Sequence, residues 1–301
     1  PTFFMPAYGY RSMTACHAKA VEQSGFPREN IIVADNGTVI DMGPTGSAKT
    51  TKAVRLAEVW HKRLGYPIRG IGLYMDELED ELPPDVLELI APVSMAEFMD
   101  WTADIEEAVL GVPRKETAEQ MRYAKNYEKE HGVPPERRPL LTTEQVKRTI
   151  GGKIVLIDEA SISMPTQGAV SPKHAAMVAL TQSRHVDWLV IFIAQFSTGQ
   201  VSKTLMNAKL TILNRPLGDE ADFDREGRVA RNWQHATEAF AALHDGLPVT
   251  YLHGAREELC DVGHWLDLYP DPRAWAFCIC PDTGTGNRFE GLVPFEFPGG
   301  R

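Results

Sequence analysis

The sequence lacks long apolar runs. No stretch of about 18 apolar residues, the length of a membrane-spanning helix, occurs among its 301 residues. Its beginning also lacks the basic and then apolar segments of a secretory signal peptide. Cysteine is scarce, with four in the chain, so we do not expect disulfides to hold the fold together. These absences predict a protein without a membrane span, located in the cytoplasm, or in a virion where the chain is viral.

Basic residues are outnumbered by acidic ones. The chain has 31 Lys and Arg against 41 Asp and Glu, which gives a formal net charge of −10. This balance argues against a protein that coats DNA through a broad basic surface. It stays compatible with a ring-shaped motor that contacts phosphates through a few residues of each subunit.

Apolar segments of strand length alternate with helical patterns over much of the chain. Two apolar segments, residues 31–34 and 38–42, flank the turn signal at 35–37 and predict a β-hairpin. The alternation that follows predicts an α/β fold with a mostly parallel sheet covered on both faces. The predicted organisation is an N-terminal segment (1–29), a core (30–245) with a helical surface insertion (114–150), and a small β-rich C-terminal appendage (246–301).

The segment GPTGSAKT at residues 43–50 matches seven of the eight positions of the P-loop pattern G-x-x-x-x-G-K-[ST]. Backbone N–H groups of such a loop surround phosphates at the N-terminus of the next helix. Lys49 would reach the β- and γ-phosphates of ATP, and the Thr50 hydroxyl would bind Mg²⁺. The predicted ATP-binding residues are Gly43, Pro44, Thr45, Gly46, Ser47, Ala48, Lys49, Thr50 and Thr51.

Ala48 is the departure from this pattern, which has glycine at the same position. A methyl group there would crowd the phosphates, or would force a φ angle that alanine tolerates poorly. The outcome would be weakened nucleotide binding or no effect at all. A glycine-rich turn that binds no nucleotide is the remaining alternative.

Residues 154–159 match a second motif, the Walker B pattern, in which four apolar residues precede Asp158 and Glu159. The apolar residues predict a buried strand beside the P-loop strand. Asp158 would then hold Mg²⁺, and Glu159 would orient or deprotonate the attacking water. Residues 73–77 end in the same two acids, Asp76 and Glu77, and are a weaker rival because their apolar run is shorter.

Two polar groups flank the next predicted strand, residues 188–194. Gln195 at its end would sense the γ-phosphate or position water; the alternative is a solvent-facing strand end. Arg184 precedes the strand and would act as an arginine finger towards a neighbouring subunit. Equally, it would stabilise the C-terminus of the preceding helix through the helix dipole.

Four segments together resemble the FtsK/HerA superfamily of DNA-pumping ATPases: IVLIDEA (154–160), QSRH (182–185), IFIAQ (191–195) and QVSK (200–203). The resemblance covers roughly residues 30–215 and implies a RecA-like core. It further implies a homo-oligomeric ring, usually a hexamer, that threads double-stranded DNA.

The residues that follow the Gln195 strand are the predicted DNA contacts, namely Lys203, Lys209 and Arg215. Filamentous-phage assembly ATPases of the Zot type look similar as well, so an ATPase that handles protein is an alternative. A slow nucleotide-binding structural subunit is a third interpretation, because Ala48 departs from the P-loop pattern.

The C-terminal part contains four residues of the types that bind zinc: Cys260, His264, Cys278 and Cys280. Four such ligands suffice for a closed tetrahedral Zn²⁺ site that would stabilise a small appendage. In the alternative interpretation, Cys278 and Cys280 lie on one strand as small buried hydrophobic residues.

Overall fold

One mixed β-sheet organises the protein. The computed structural model describes residues 37–43, 46–114, 118–135, 139–158, 172–195, 210–214, 227–253, 256–280 and 289–294. Its strands are β1 (Gly37–Gly43), β2 (Ile68–Ile71), β3 (Ile90–Pro92), β4 (Lys153–Ile157), β5 (Trp188–Gln195), β6 (Leu210–Asn214), β7 (Val249–His253), β8 (Arg256–Cys260), β9 (Trp275–Cys280) and β10 (Phe289–Pro294). Its α-helices are α1 (Lys49–Leu64), α2 (Met75–Leu78), α3 (Pro84–Leu87), α4 (Met95–Leu110), α5 (Ala118–His131), α6 (Thr143–Ile150), α7 (Pro172–Gln182), α8 (Gly227–His244) and α9 (Gly263–Leu268).

The sheet has the order β3-β2-β4-β5-β1-β6-β9-β10-β7-β8. The first six strands are parallel to one another, and the last four add antiparallel pairings. Residues 154–157 of β4 and 189–193 of β5 are fully buried. Strands with such continuous apolar runs are expected where both faces of a parallel sheet are covered. The predicted α/β fold class is confirmed.

Two predictions about strand neighbours are wrong. The Walker B strand β4 does not lie beside the P-loop strand β1, because β5 pairs with both and separates them. The hairpin expected around residues 35–37 is also wrong, because both edges of β1 are occupied, by β5 and by β6. The segment 31–36 itself lies outside the described residues.

The residues after 245 are rich in strands, as predicted, but they do not form a sheet of their own. Strand β9 pairs antiparallel with β6, with Cys278 opposite Ile212, and thereby joins the last four strands to the core sheet. A domain boundary near residue 245 stays a prediction.

The helices differ in how much of their surface is buried. Helix α1 packs Ala53, Leu56, Ala57 and Trp60 against the sheet, as its sequence pattern predicts. Helix α5, in the predicted insertion, has exposed or partly exposed side chains from residue 119 to 131, whereas α6 buries Val146 and Ile150. Among the described helices, none is both long and apolar enough to cross a membrane.

Candidate nucleotide-binding site

The sequence motifs meet at one edge of the sheet. Strands β1, β4 and β5 are parallel, so their carboxyl ends lie at the same edge. Gly43 ends β1, Asp158 follows β4, and Gln195 ends β5 directly opposite Gly43 in the register. In open α/β sheets, ligands bind at this edge, outside the carboxyl ends of the strands.

The loop between β1 and α1 has a backbone that suits glycine at two positions. Gly46 has a φ of 76°, and Ala48 has a φ of 59° and a ψ of 29°, both in the left-handed region. An alanine in this region is strained by about 1–2 kcal/mol. The predicted backbone problem at Ala48 is therefore present. Pro44 and Thr45 lie outside the described residues.

The N-terminus of α1 has the properties of an anion site. Its first turn contains no acidic residue, and Ala48 supplies no side-chain cap. By contrast, Ser94 caps α4 and Thr142 caps α6 through their hydroxyls. The free N–H groups and the positive end of the helix dipole favour a phosphate group. Lys49 adds a cation there, with 8% of its surface exposed.

One side-chain contact joins the two motifs. The Thr50 hydroxyl donates a hydrogen bond to Asp158 Oδ2 at 3.1 Å, although the two residues are 108 positions apart. The backbone N–H of Asp158 donates to the Ile71 carbonyl at 2.9 Å, which holds the aspartate against β2. Mg²⁺ prefers oxygen ligands and is commonly held by few protein groups. Thr50 and Asp158 therefore fit the predicted Mg²⁺ site.

The remaining predicted site residues are placed as follows. Thr51 is buried, and its hydroxyl donates to the Glu81 carboxylate. Glu159 lies outside the described residues, and for Gln195 only the backbone position is described. Arg184 is exposed on a 3₁₀ turn before β5, at the opposite end of that strand from Gln195. The eight residues of β5 span roughly 23 Å, so Arg184 is far from the loop of its own chain.

The weaker rival for the Walker B motif does not lie at a strand end. Strand β2 stops at Ile71, and the acids Asp76 and Glu77 belong to the short helix α2. Asp76 is exposed. Asp158 is instead buried beside the P-loop helix, so the structure favours residues 154–159 as the functional motif.

A buried polar network beneath the loop was not predicted from the sequence. Asn214, at the end of β6, donates from Nδ2 to the Asp41 carboxylate and to the Met42 carbonyl, the latter at 2.9 Å. Its Oδ1 accepts a hydrogen bond from Lys52 Nζ at 2.5 Å. Asp41, Lys52 and Asn214 each have at most 1% of their surface exposed. The available signal was a charged residue on a buried face: Asp41 within an apolar strand, and Lys52 beside Ala53.

Burial shifts both charged groups of this network towards their neutral forms. It raises the pKa of Asp41 from 3.8 to about 7, although the Lys52 charge and the Asn214 hydrogen bond oppose the shift. Burial likewise lowers the pKa of Lys52 from 10.5 to about 8, against the attraction of Asp41. Desolvation therefore outweighs the attraction between the two groups.

The backbone positions of the predicted zinc ligands separate Cys260 from Cys278 and Cys280. Cys260 lies on β8, and Cys278 and Cys280 lie on β9, with β10 and β7 between these strands. Three strand spacings amount to about 14 Å, whereas each zinc–sulfur bond is only about 2.3 Å long. His264 belongs to α9. Among the described side chains there is no group of three metal ligands, and Cys278 is buried as a small hydrophobic residue would be.

Comparisons with known proteins identify similar folds only. No protein-family model and no curated protein matches the sequence. Among solved structures, the conjugation coupling protein TcpA of pCW3 with ATPγS is 11% identical over 88% of this chain and 62% of its own, with a TM-score of 0.44. The genome-packaging NTPase B204 of Sulfolobus turreted icosahedral virus 2 with ATPγS is 12% identical, with 88% and 98% covered and a TM-score of 0.43.

A third similar structure is the cytoplasmic domain of the type VII secretion ATPase EccC of Thermomonospora curvata. It is 12% identical, with 88% of this chain and 25% of that chain covered and a TM-score of 0.42. The chain thus spans most of B204 but only part of TcpA and EccC. The strand–loop–helix setting of the motif and the Thr50–Asp158 contact are the features expected of a RecA-like P-loop fold.

Proposed function

We propose that this protein binds Mg·ATP at residues 43–51, hydrolyses it, and uses the energy as a motor that moves double-stranded DNA. The observation that carries the proposal is the 3.1 Å contact between Thr50 and Asp158. It joins the phosphate-binding motif to the acidic motif at the sheet edge where ligands of this fold class bind.

Each site residue has a chemical role in this proposal. The N–H groups at the start of α1 and the Lys49 ammonium bind the β- and γ-phosphates. Mg²⁺ held by Thr50 and Asp158 would neutralise negative charge on the phosphates. Glu159 orients the attacking water and accepts its proton, and Gln195 responds to the γ-phosphate. The backbone of Gln195 supports this role, because it lies opposite Gly43 in the register.

The motor function rests on the sequence resemblance to DNA-pumping ATPases. With a net charge of −10, the chain would contact DNA through a few residues, proposed as Lys203, Lys209 and Arg215. Because Arg184 precedes β5 and the loop lies at the far end of this strand, which spans roughly 23 Å, its action as an arginine finger requires a neighbouring subunit. We propose that the neighbouring subunit belongs to a homo-oligomeric ring, namely a hexamer.

The test is steady-state ATP hydrolysis with Mg²⁺, measured with and without double-stranded DNA. Lys49→Ala and Glu159→Gln should each lower turnover about 100-fold or more, because they remove charge stabilisation and water activation. Lys62→Ala is the matched control, because Lys62 is on the same helix with a side chain that is 69% exposed. The Lys62→Ala variant should hydrolyse ATP at the wild-type rate, and DNA should stimulate hydrolysis by the wild type and by this variant alike.

The other outcomes separate the alternatives. Hydrolysis that depends on Lys49 but ignores DNA would indicate a Zot-type ATPase that handles protein. Binding of ATP without turnover would indicate a nucleotide-binding structural subunit. Absence of both binding and hydrolysis in the folded protein would contradict the proposal, and Ala48→Gly would then show whether the alanine is the cause.

A further inference from the structure

We propose that Asn214, Lys52 and Asp41 are positioning residues that hold the phosphate-binding loop in the shape that accepts a nucleotide. The effect on ATP rests on the proposed function, whereas the effect on the loop itself does not. The three side chains belong to β6, α1 and β1, so the network ties the loop to both elements that flank it and to the next strand.

Lys52 connects the loop to the C-terminal half of the sheet. Its Nζ donates to the Ser47 carbonyl at 3.2 Å, to Asn214 Oδ1 at 2.5 Å and to the Trp275 carbonyl at 3.2 Å. A lysine ammonium has three protons to donate, so each has an acceptor. One of these acceptors, Ser47, is in the loop itself. The remaining two belong to the ends of β6 and β9 that lie next to it.

Asn214 is the centre of the network because its amide both donates and accepts. It donates to Asp41 and to the Met42 carbonyl in β1 while accepting from Lys52 in α1. An amide is the side chain that can bridge a carboxylate and an ammonium in this way. A carboxylate at this position would repel Asp41, and an alkyl side chain would leave both charges without this partner.

The loop packs directly on Asn214. A Cβ atom built on Gly43 would lie 2.7 Å from Asn214 Cβ and 2.5 Å from Ser47 Oγ, distances that real Cβ atoms do not reach. Gly43 therefore allows the start of the loop to approach the network closely. Together with the bond from Lys52 to the Ser47 carbonyl, the network contacts the loop at two points on either side of residues 44–45.

Stability alone does not require buried charges at these positions. A buried ion pair is often no more stable than well-packed hydrophobic residues of similar volume. What hydrophobic residues could not provide is a directed bond to the Ser47 carbonyl. The network therefore has the chemistry expected of a device that fixes the geometry of the loop.

The experiment removes both charges together, so that neither is left unpaired. The double variant Lys52→Met, Asp41→Asn keeps side chains of similar size but loses the bond to Ser47. The matched control is Arg148→Met with Glu144→Gln, which removes an exposed ion pair of 3.5 Å on helix α6. Hydrogen exchange without nucleotide and the kcat and KM for ATP are measured for both.

In the double variant, we expect amides of the first turns of α1, residues 52–56, to exchange at least tenfold faster than in the wild type. The KM for ATP should rise about tenfold with kcat changed less than twofold, and the control should change neither. A folded double variant with wild-type exchange in these turns would overturn the inference. If the wild type itself does not bind ATP, the proposed function fails, and the exchange result still decides the inference.

A second pair of variants keeps the test decisive if the double variant does not fold. Asn214→Asp places two carboxylates side by side and should accelerate exchange in residues 52–56. Adding Asp41→Asn restores one carboxylate and one amide, with their positions swapped. The rate of amide hydrogen exchange and the KM for ATP should then return to within about twofold of wild type. An Asn214→Asp protein with wild-type exchange, or a combination that rescues nothing, would contradict the proposal.

Discussion

At the scale of single residues, the candidate site combines a strained position with groups that attract anions. Ala48 has a left-handed backbone directly before α1, and Lys49 follows it with almost no exposed surface. Ala48 is the N-cap of α1, so its left-handed backbone sets how the chain enters the helix. The strain at Ala48 is therefore part of the geometry proposed to bind phosphate.

Ala48→Gly should stabilise the protein. Glycine relieves the left-handed strain of about 1–2 kcal/mol, while its freer unfolded chain offsets about 0.4–1 kcal/mol. We expect the free energy of unfolding in urea to rise by about 0.5–1 kcal/mol. Ala241→Gly, at an exposed position within α8, should instead lower it by about 1 kcal/mol. Equal losses in the two variants would show that Ala48 is not strained.

Asp41→Asn should change how stability depends on pH. Folding raises the pKa of Asp41 from 3.8 to about 7, so its protonated form stabilises the fold below pH 4. That contribution is lost as the pH rises through 7. The unfolding free energy of the wild type relative to the variant should therefore fall by at least about 1 kcal/mol between pH 4 and pH 7. A constant difference in urea titrations across this range would mean that Asp41 titrates normally.

At the scale of elements, helix ends were predictable where the cap follows a simple sequence pattern. Helix α4 begins directly after Ser94, whose hydroxyl accepts from the Glu97 N–H at 3.2 Å, as expected where a serine precedes a glutamate by three residues. Helix α6 begins with a full capping box, in which Thr142 and Gln145 each bond the backbone of the other. This box fixes the start of a helix that buries Val146 in the hydrophobic core.

Thr142→Ala should destabilise the protein by about 1 kcal/mol, because the first turn of α6 loses its side-chain acceptor. Thr149→Ala is the matched control in the same helix. The Thr149 hydroxyl is exposed and bonds back to the carbonyls of Gln145 and Val146, so its removal should cost little. Thermal unfolding of the two variants gives the comparison. A larger loss for Thr149→Ala would contradict the assigned role of the capping box.

At the scale of the whole molecule, the C-terminal strands complete the core. Strand β9 covers the free edge of β6 and supplies the Trp275 carbonyl to Lys52. Helix α5 contributes little to the core by comparison, since its described side chains are at least partly accessible to solvent. The two segments should therefore respond very differently to deletion.

Truncation after residue 245 should abolish soluble, folded protein, because it exposes the hydrogen-bonding edge of β6. Replacing residues 118–131 by a Gly/Ser linker of equal length should change the unfolding free energy by no more than about 1 kcal/mol. Soluble yield and cooperative urea unfolding measure both effects. A truncated protein that unfolds cooperatively would show that residues 246–301 are a separate unit, as first predicted from the sequence.

The amino-acid sequence by itself determined the elements that depend on local pattern. Continuous apolar residues predicted β4 and β5 to within one residue, and the P-loop pattern located α1. The same motifs predicted that Thr50 and Asp158 lie close together, and the hydrogen bond between their side chains confirms this. These structural predictions are confirmed because burial and the strand–loop–helix turn impose residue types at fixed, short spacings.

Only the tertiary structure decided which distant segments meet. It placed β5 between the two motif strands, separated Cys260 from Cys278, and brought Asn214 to Lys52 across 162 positions of sequence. An apolar run in the sequence predicts that a strand is buried but does not predict which strand lies beside it. The partner of a single buried Asp or Lys likewise cannot be predicted from its own position. The hydrogen bonds that offset the cost of its burial come from elements far along the chain.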